Sequence, residues 1–274
     1  MDVWIAKLLT ADKMKTALQF VVAESVLVVE KDLQLMKLLK PGDTIVFDSV
    51  SRMSRNSDEG FKDYKYLYEL GVELIFGSHP DDILDSSFDY LIKNPGVPID
   101  HKYVLKAREL GIEVINEVEM SFRLLPEDVK LIGITGTNGK TTTTTLTYEI
   151  MKKAYGDKVF LAGNIGYPVC SILNDVKSGD YIVMEVSCQQ LENLEQFKPN
   201  VALMTNLSPA HIDFLKSYEN YKRVKAKIFK NQTKDDVAIL NIDNDDVINE
   251  TKNINSTIKY FSSKSEINGC YVKD

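Results

Sequence analysis

Leu131-Ile132-Gly133-Ile134-Thr135-Gly136-Thr137-Asn138-Gly139-Lys140-Thr141-Thr142 sets an apolar, β-branched run directly before a glycine loop, and a helical pattern follows at 146–153. Strand, glycine loop and helix in this order turn backbone N–H groups inward toward a phosphate, and the dipole at the helix start favours the negative charge. In that reading Gly136, Thr137, Asn138 and Gly139 form the cradle, and Lys140 meets the β/γ-phosphates of ATP. The hydroxyl of Thr141, with Thr142 beside it, stands where Mg2+ needs a ligand. The general pattern G-x-x-x-x-G-K-[ST] asks for glycine where this chain has Ile134, so the loop is a variant. An ordinary strand-to-helix turn with a surface lysine fits the same letters, but the strand and helix on either side supply the context that the phosphate motif requires.

Outward from the loop, apolar runs recur at 159–161, 181–184, 201–204 and 237–240. They are continuous rather than alternating, as in strands buried on both faces of a parallel sheet. Upstream, β-type runs at 44–47, 72–76, 90–92 and 112–115 alternate with helical patterns at 58–70, 103–110 and before Leu125, which is a βαβ series. The expected class is therefore α/β: an N-terminal Rossmann-like βαβ domain, then a parallel-sheet domain carrying the loop. Pro126-Glu127-Asp128 is the best linker, giving domains at 1–126 and 127–274. Residues 1–37 carry mixed signals and no motif.

The 274 residues suffice for two cores. A net charge of -7 argues against a general nucleic-acid surface, which needs clustered Lys and Arg. Three cysteines without metal-type spacing suit a reducing compartment. No apolar run approaches a membrane span, and 20–29, interrupted by Glu24, lacks the marks of a signal peptide, so the cytoplasm is the expected location.

Glu185 closes the run 181–184 at its carboxyl end, and His211 follows the run 201–204, both where open parallel sheets hold ligands. Alone they read as a solvated strand-end charge and a loop histidine. Beside the glycine loop they read with Thr141 as groups converging on metal-bound phosphates. Lys225, in Tyr221-Lys222-Arg223-Val224-Lys225-Ala226-Lys227, reads by composition as part of a solvated helix face.

Gly136–Thr141, Gly163-Asn164-Ile165-Gly166, the stretch 185–192 (Glu-Val-Ser-Cys-Gln-Gln-Leu-Glu) and the stretch 205–213 (Thr-Asn-Leu-Ser-Pro-Ala-His-Ile-Asp) follow one another in the order of the Mur ligase and folylpolyglutamate synthetase superfamily, which the chain resembles over roughly 77–274. Lys93-Asn94-Pro95-Gly96-Val97-Pro98 and Glu117-Val118-Glu119 bring the resemblance nearest to members that join D-glutamate to a UDP-linked muramoyl substrate. The resemblance implies a central ATP-binding domain and transfer of the ATP γ-phosphoryl group to a carboxylate. An amino group then attacks the acyl phosphate to give an amide, in cell-wall synthesis and by a monomeric protein. It implies Glu185 and His211 at the Mg2+ site, Asn164 near the reacting phosphate, and Lys225 as a carbamylated lysine holding a second Mg2+, with Lys222 and Lys227 as its near neighbours. Ser187, Gln190 and Gly96 become substrate contacts, although Cys188 and Gln189 depart from the commoner Ser-Phe.

Before residue 77 nothing matches the uridine-binding turn expected of that family. The stretch 38–76, with Ser51-Arg52-Met53-Ser54-Arg55-Asn56, resembles instead the catalytic domain of serine recombinases, in which Arg52 and Arg55 would hold a scissile phosphate. The residues also read as surface cations before a helix capped by Asn56, and 1–10 holds no serine for the nucleophile. The expectation is a fusion near 71–77 of such a segment to a ligase lacking its C-terminal domain. The alternatives for function are a fragment that binds Mg-ATP without ligation, or a remnant of a DNA recombinase.

Overall fold

The computed structural model describes residues 3–6, 44–47, 73–76, 84–86, 88, 90–93, 95–165, 167–210 and 212–273. The helix expected at 58–70, together with Arg52, Arg55 and Asn56, lies outside the described residues. The chain divides into two compact units, Met1–Val114 and Ile115–Asp274.

In the first unit, β1 (Val3–Ala6) pairs antiparallel with β4 (Tyr90–Lys93), and β2 (Thr44–Phe47) pairs parallel with β3 (Glu73–Phe76). The antiparallel strand β1 lies within 1–37, where the sequence carries mixed signals and no motif. Its signal, Val3-Trp4-Ile5-Ala6, is four residues long and has no turn marker beside it. Helix α1 (Lys102–Glu109) turns Tyr103, Val104 and Ala107 onto one face, against a core of Leu84, Leu91, Val97 and Ile112. It ends at Gly111 (φ 75°), where Ile112 N–H donates to Ala107 O at 2.8 Å and the chain turns into β5 (Glu113–Asn116).

The second unit opens with α2 (Glu117–Leu124), capped by Asn116, whose Oδ1 accepts Glu119 N–H at 3.0 Å. There follow β6 (Lys130–Thr135), α3 (Lys140–Tyr155), β7 (Val159–Gly163), β8 (Tyr181–Glu185), α4 (Cys188–Leu191) and β9 (Val201–Met204). The remaining elements are α5 (Ile212–Leu215), α6 (Tyr218–Ala226), β10 (Val237–Asn241), α7 (Asp245–Glu250), β11 (Thr257–Ser262) and β12 (Cys270–Tyr271). The strands form one sheet in the order β12-β11-β10-β9-β6-β8-β7, parallel at every pairing. Alternate residues face opposite layers: Ile182 and Met184 join the core containing Tyr221, Val224, Ile228 and Phe229, while Val183 packs with Ile134, Val159 and Tyr148 of α3. From β6 the chain runs through α3 to β7 and β8 on one side, then crosses to β9 on the other. The carboxyl end of β6 is thus the switch point where parallel sheets open a ligand crevice.

The division between units falls before α2, not at Pro126. Buried Glu119 explains why: its carboxylate accepts the N–H groups of Glu195, Gln196 and Phe197 at 3.0, 2.9 and 3.1 Å, tying α2 to the second unit. Phe122 adds an edge-on contact with Phe197, centroids 5.6 Å apart. Among the described residues, no helix is long and apolar enough to cross a membrane.

Candidate functional site

Two glycines shape the loop after β6. Gly136 has φ 141°, and a Cβ there would lie 2.0 Å from Thr205 Oγ1, so no other residue fits. Gly139 caps α3 at φ 78°, a left-handed conformation with open space around it, so backbone conformation alone selects glycine. The N–H groups of the first helical turn that follows have no intrahelical acceptors and can serve an anion. Lys140 folds back over the loop, its Nζ donating to Thr137 O at 2.8 Å.

Glu185, 2% exposed, is the focus of the site. Its Oε2 accepts the Thr141 hydroxyl at 2.7 Å, and its Oε1 accepts Asn164 Nδ2 at 2.9 Å. Asn164 is aligned by its own backbone, since its N–H donates to Glu185 O at 2.9 Å. That approach needs Gly163: at φ 97°, a Cβ there would sit 2.2 Å from Glu185 O. Thr141 and Glu185 are hard oxygen donors, which fits Mg2+. Among the described residues no cluster of three or more His, Cys, Asp or Glu could cage a metal, so a cation here would draw its remaining ligands from water and phosphate, as Mg2+ commonly does. His211 lies outside the described residues.

Lys225 is not part of a solvated face. It is 1% exposed, and its Nζ donates to Thr135 Oγ1 at 3.0 Å and Gly136 O at 2.9 Å, beneath the loop. Tyr221, Val224, Lys225 and Ile228 recur at helical spacing and are all buried, which a lysine-rich composition conceals. Burial, opposed by Cys188 and Glu185 and reinforced by Lys140, brings the Lys225 amine down to about 8. The neighbouring lysines go elsewhere, Lys222 to Asp246 at 3.1 Å and Lys227 to Glu192 O at 2.6 Å.

Ser187 and Gln190 engage each other in a capping box at the start of α4: Gln190 N–H donates to Ser187 Oγ at 3.3 Å, and Ser187 N–H donates to Gln190 Oε1 at 2.9 Å. Their proximity to Glu185 follows from sequence, but these polar atoms already serve the helix. Gly96, in the first unit, is exposed on a turn that buried Lys93 secures through Val97 O at 2.8 Å. Several partners of the loop had no assigned role in the sequence reading: Thr135, Thr205, Asn206 and Tyr221. Thr205 and Asn206 stand in a quoted motif, but their contacts span nearly seventy residues of chain.

Residues 134–273 match the Mur ligase middle domain. The UDP-N-acetylmuramoylalanine–D-glutamate ligase of Lactococcus lactis is 42% identical over 213 residues, 78% of this chain and 47% of that protein. The enzyme of the same name from Geobacillus kaustophilus is 39% identical over 238 residues, covering 86% of this chain and 51% of its own length. That of Streptococcus mutans is 43% identical over 209 residues, covering 75% and 45%. The chain thus spans about half the length of the curated relatives it matches. A match spanning 86% of the chain leaves about 38 residues outside, too few for it to begin after residue 76. The ligase-like match therefore runs through 39–76, and the recombinase resemblance of that segment finds no support.

Proposed function

This chain belongs to the Mur ligase family, and on that basis we propose that it carries the ATP site of a ligase joining D-glutamate to UDP-N-acetylmuramoyl-L-alanine in cell-wall precursor synthesis. The observation that supports this most directly is Glu185, bonded at once to Thr141 of the phosphate loop and to Asn164. The substrates follow from the names of the relatives.

In this reading the phosphates of ATP lie on the N–H groups from Gly139 to Thr142, and Lys140 swings from Thr137 O to the β/γ-phosphates. Thr141 and Glu185 would hold Mg2+, with His211 as a further ligand. Bound there, Mg2+ would neutralise charge on the transferring phosphoryl group. Asn164 orients the carboxylate of the muramoyl substrate, which attacks the γ-phosphorus and releases ADP. The amino group of D-glutamate then attacks the acyl phosphate, inorganic phosphate leaves, and an amide remains. The protein's part is positioning and charge neutralisation. Ser187 and Gln190, released from their capping bonds, contact the muramoyl part of the substrate. The Gly96 backbone meets the uridine nucleotide.

A lysine amine brought down to about 8 is partly neutral near physiological pH, and the neutral form is the one that adds CO2. Addition gives a carbamate and releases a proton, turning Lys225 into an anion suited to a second Mg2+. The same reading takes the protein as a monomer in the cytoplasm, which supplies the ATP.

Titration with Mg-ATP, followed by phosphate release in the presence of both substrates, tests this. Binding and substrate-dependent release are expected, with both lost in Lys140→Ala. Nucleotide binding without release would sink the ligase reading.

A further inference from the structure

The phosphate loop is held from the side opposite Glu185 by side chains that the mechanism above does not use. Asn206, just beyond β9, grips Asn138 by both backbone groups: Asn138 N–H donates to Asn206 Oδ1 at 3.0 Å, and Asn206 Nδ2 donates to Asn138 O at 3.0 Å. Thr205 Oγ1 donates to the same carbonyl at 2.7 Å, the approach that forbids a Cβ at Gly136. Thr137 N–H donates to Asn206 O at 2.9 Å, while Thr137 Oγ1 accepts Ser208 N–H at 3.0 Å and lies 2.9 Å from the Tyr221 hydroxyl.

The segment that does the gripping is gripped in the same way. Asn244, the cap of α7, accepts Leu207 N–H at 3.4 Å and donates to Leu207 O at 3.1 Å, and Asn241 Nδ2 donates to Thr205 O at 2.9 Å. Asparagine amides thus act in series, Asn241 of β10 and Asn244 of the α7 cap fixing the segment after β9, and Asn206 fixing the loop.

The N–H groups of Thr137 and Asn138 are consumed by Asn206, which leaves those at the start of α3 to meet phosphate. A loop of this kind must keep its carbonyls turned away from the anion, and the carbonyl of exposed Asn138 is held by two donors, Thr205 Oγ1 and Asn206 Nδ2. We propose that Asn206, assisted by Thr205, is a positioning residue of the phosphate site, setting the loop in its phosphate-accepting shape before nucleotide arrives. The proposal rests on the nucleotide-binding reading above.

Asn138 is exposed and Asn206 half-buried, so removing their bonds takes little from the stability of the whole unit. The full chain is titrated with Mg-ATP as wild type, Asn206→Ala, Thr205→Val and Thr205→Ser, and each is melted without nucleotide. Asn206→Ala and Thr205→Val are expected to weaken Mg-ATP binding about tenfold, the scale of one or two net hydrogen bonds. Thr205→Ser, which keeps the hydroxyl, restores affinity, and Asn206→Ala melts close to wild type.

Wild-type affinity in Asn206→Ala overturns the proposal, as does a Thr205→Ser variant no better than Thr205→Val. If Asn206→Ala fails to fold, the valine and serine pair decides alone. A wild-type chain that binds no more Mg-ATP than Lys140→Ala removes the nucleotide reading, and this one with it.

Discussion

Lys225 is a cation taken almost wholly out of water beside the glycine loop that follows β6. Its two hydrogen bonds go to neutral oxygens, Thr135 Oγ1 and Gly136 O, so desolvation dominates and the amine falls from an ordinary 10.5 to about 8. In the amine form, the unfolded chain therefore binds more protons than the folded one between pH 8 and 10.5, and stability rises with pH across that window. Below pH 8 both states hold the proton and the full cost of burial is carried. Urea unfolding in bicarbonate-free buffer from pH 7 to 10 should show this rise, at most about 3 kcal/mol, and Lys225→Met should flatten it. An identical slope in the variant would mean the amine is solvated. None of this was legible in Tyr221–Lys227, where four basic residues in seven suggest water on every side. The spacing of Tyr221, Val224 and Ile228 carried the signal. The place of Glu185 at the carboxyl end of β8 was legible from the continuous apolar run before it.

Whole elements were easiest to read where a strand carries a continuous apolar run, as in β8, β9 and β10, and hardest in β11. In β11, Thr257, Ile258, Lys259 and Tyr260 alternate between exposed and partly buried, so no apolar run marks it. Helix α2 was recognised, but its allegiance was not, because that depends on one carboxylate. Glu119 is fully buried, receives three backbone N–H groups from 195–197 and is paired with Arg123 at 2.8 Å. Removing it strands those donors and the guanidinium together. Glu119→Ala should cost about 3 kcal/mol or more in denaturant unfolding. Glu119→Gln, which keeps one acceptor oxygen, should cost less. Equal costs would show that charge rather than hydrogen bonding holds α2 in place.

At the scale of the whole chain, the same carboxylate decides where the second unit begins. A boundary read from Pro126-Glu127-Asp128 rests on local turn chemistry, whereas the compact unit starts at Ile115 because Asn116 and Glu119 reach 74 to 78 residues forward. Asn116 caps α2 with its oxygen while its Nδ2 donates to Gln190 O, beside the capping box of α4. Two fragments separate these views. Residues 115–274 keep both side chains together with every group bonded to the phosphate loop, so this fragment should unfold cooperatively and bind Mg-ATP as the full chain does. Residues 127–274 retain the loop but leave the N–H groups of 195–197 and the carbonyl of Gln190 without these partners, and expose the face of Phe197 that meets Phe122. That fragment should melt at a lower temperature, with Mg-ATP raising its midpoint by mass action if the loop still closes on phosphate. Equal melting temperatures for the two would return the boundary to Pro126. Failure of 115–274 to bind nucleotide, with the full chain binding, would place part of the site in residues 1–114.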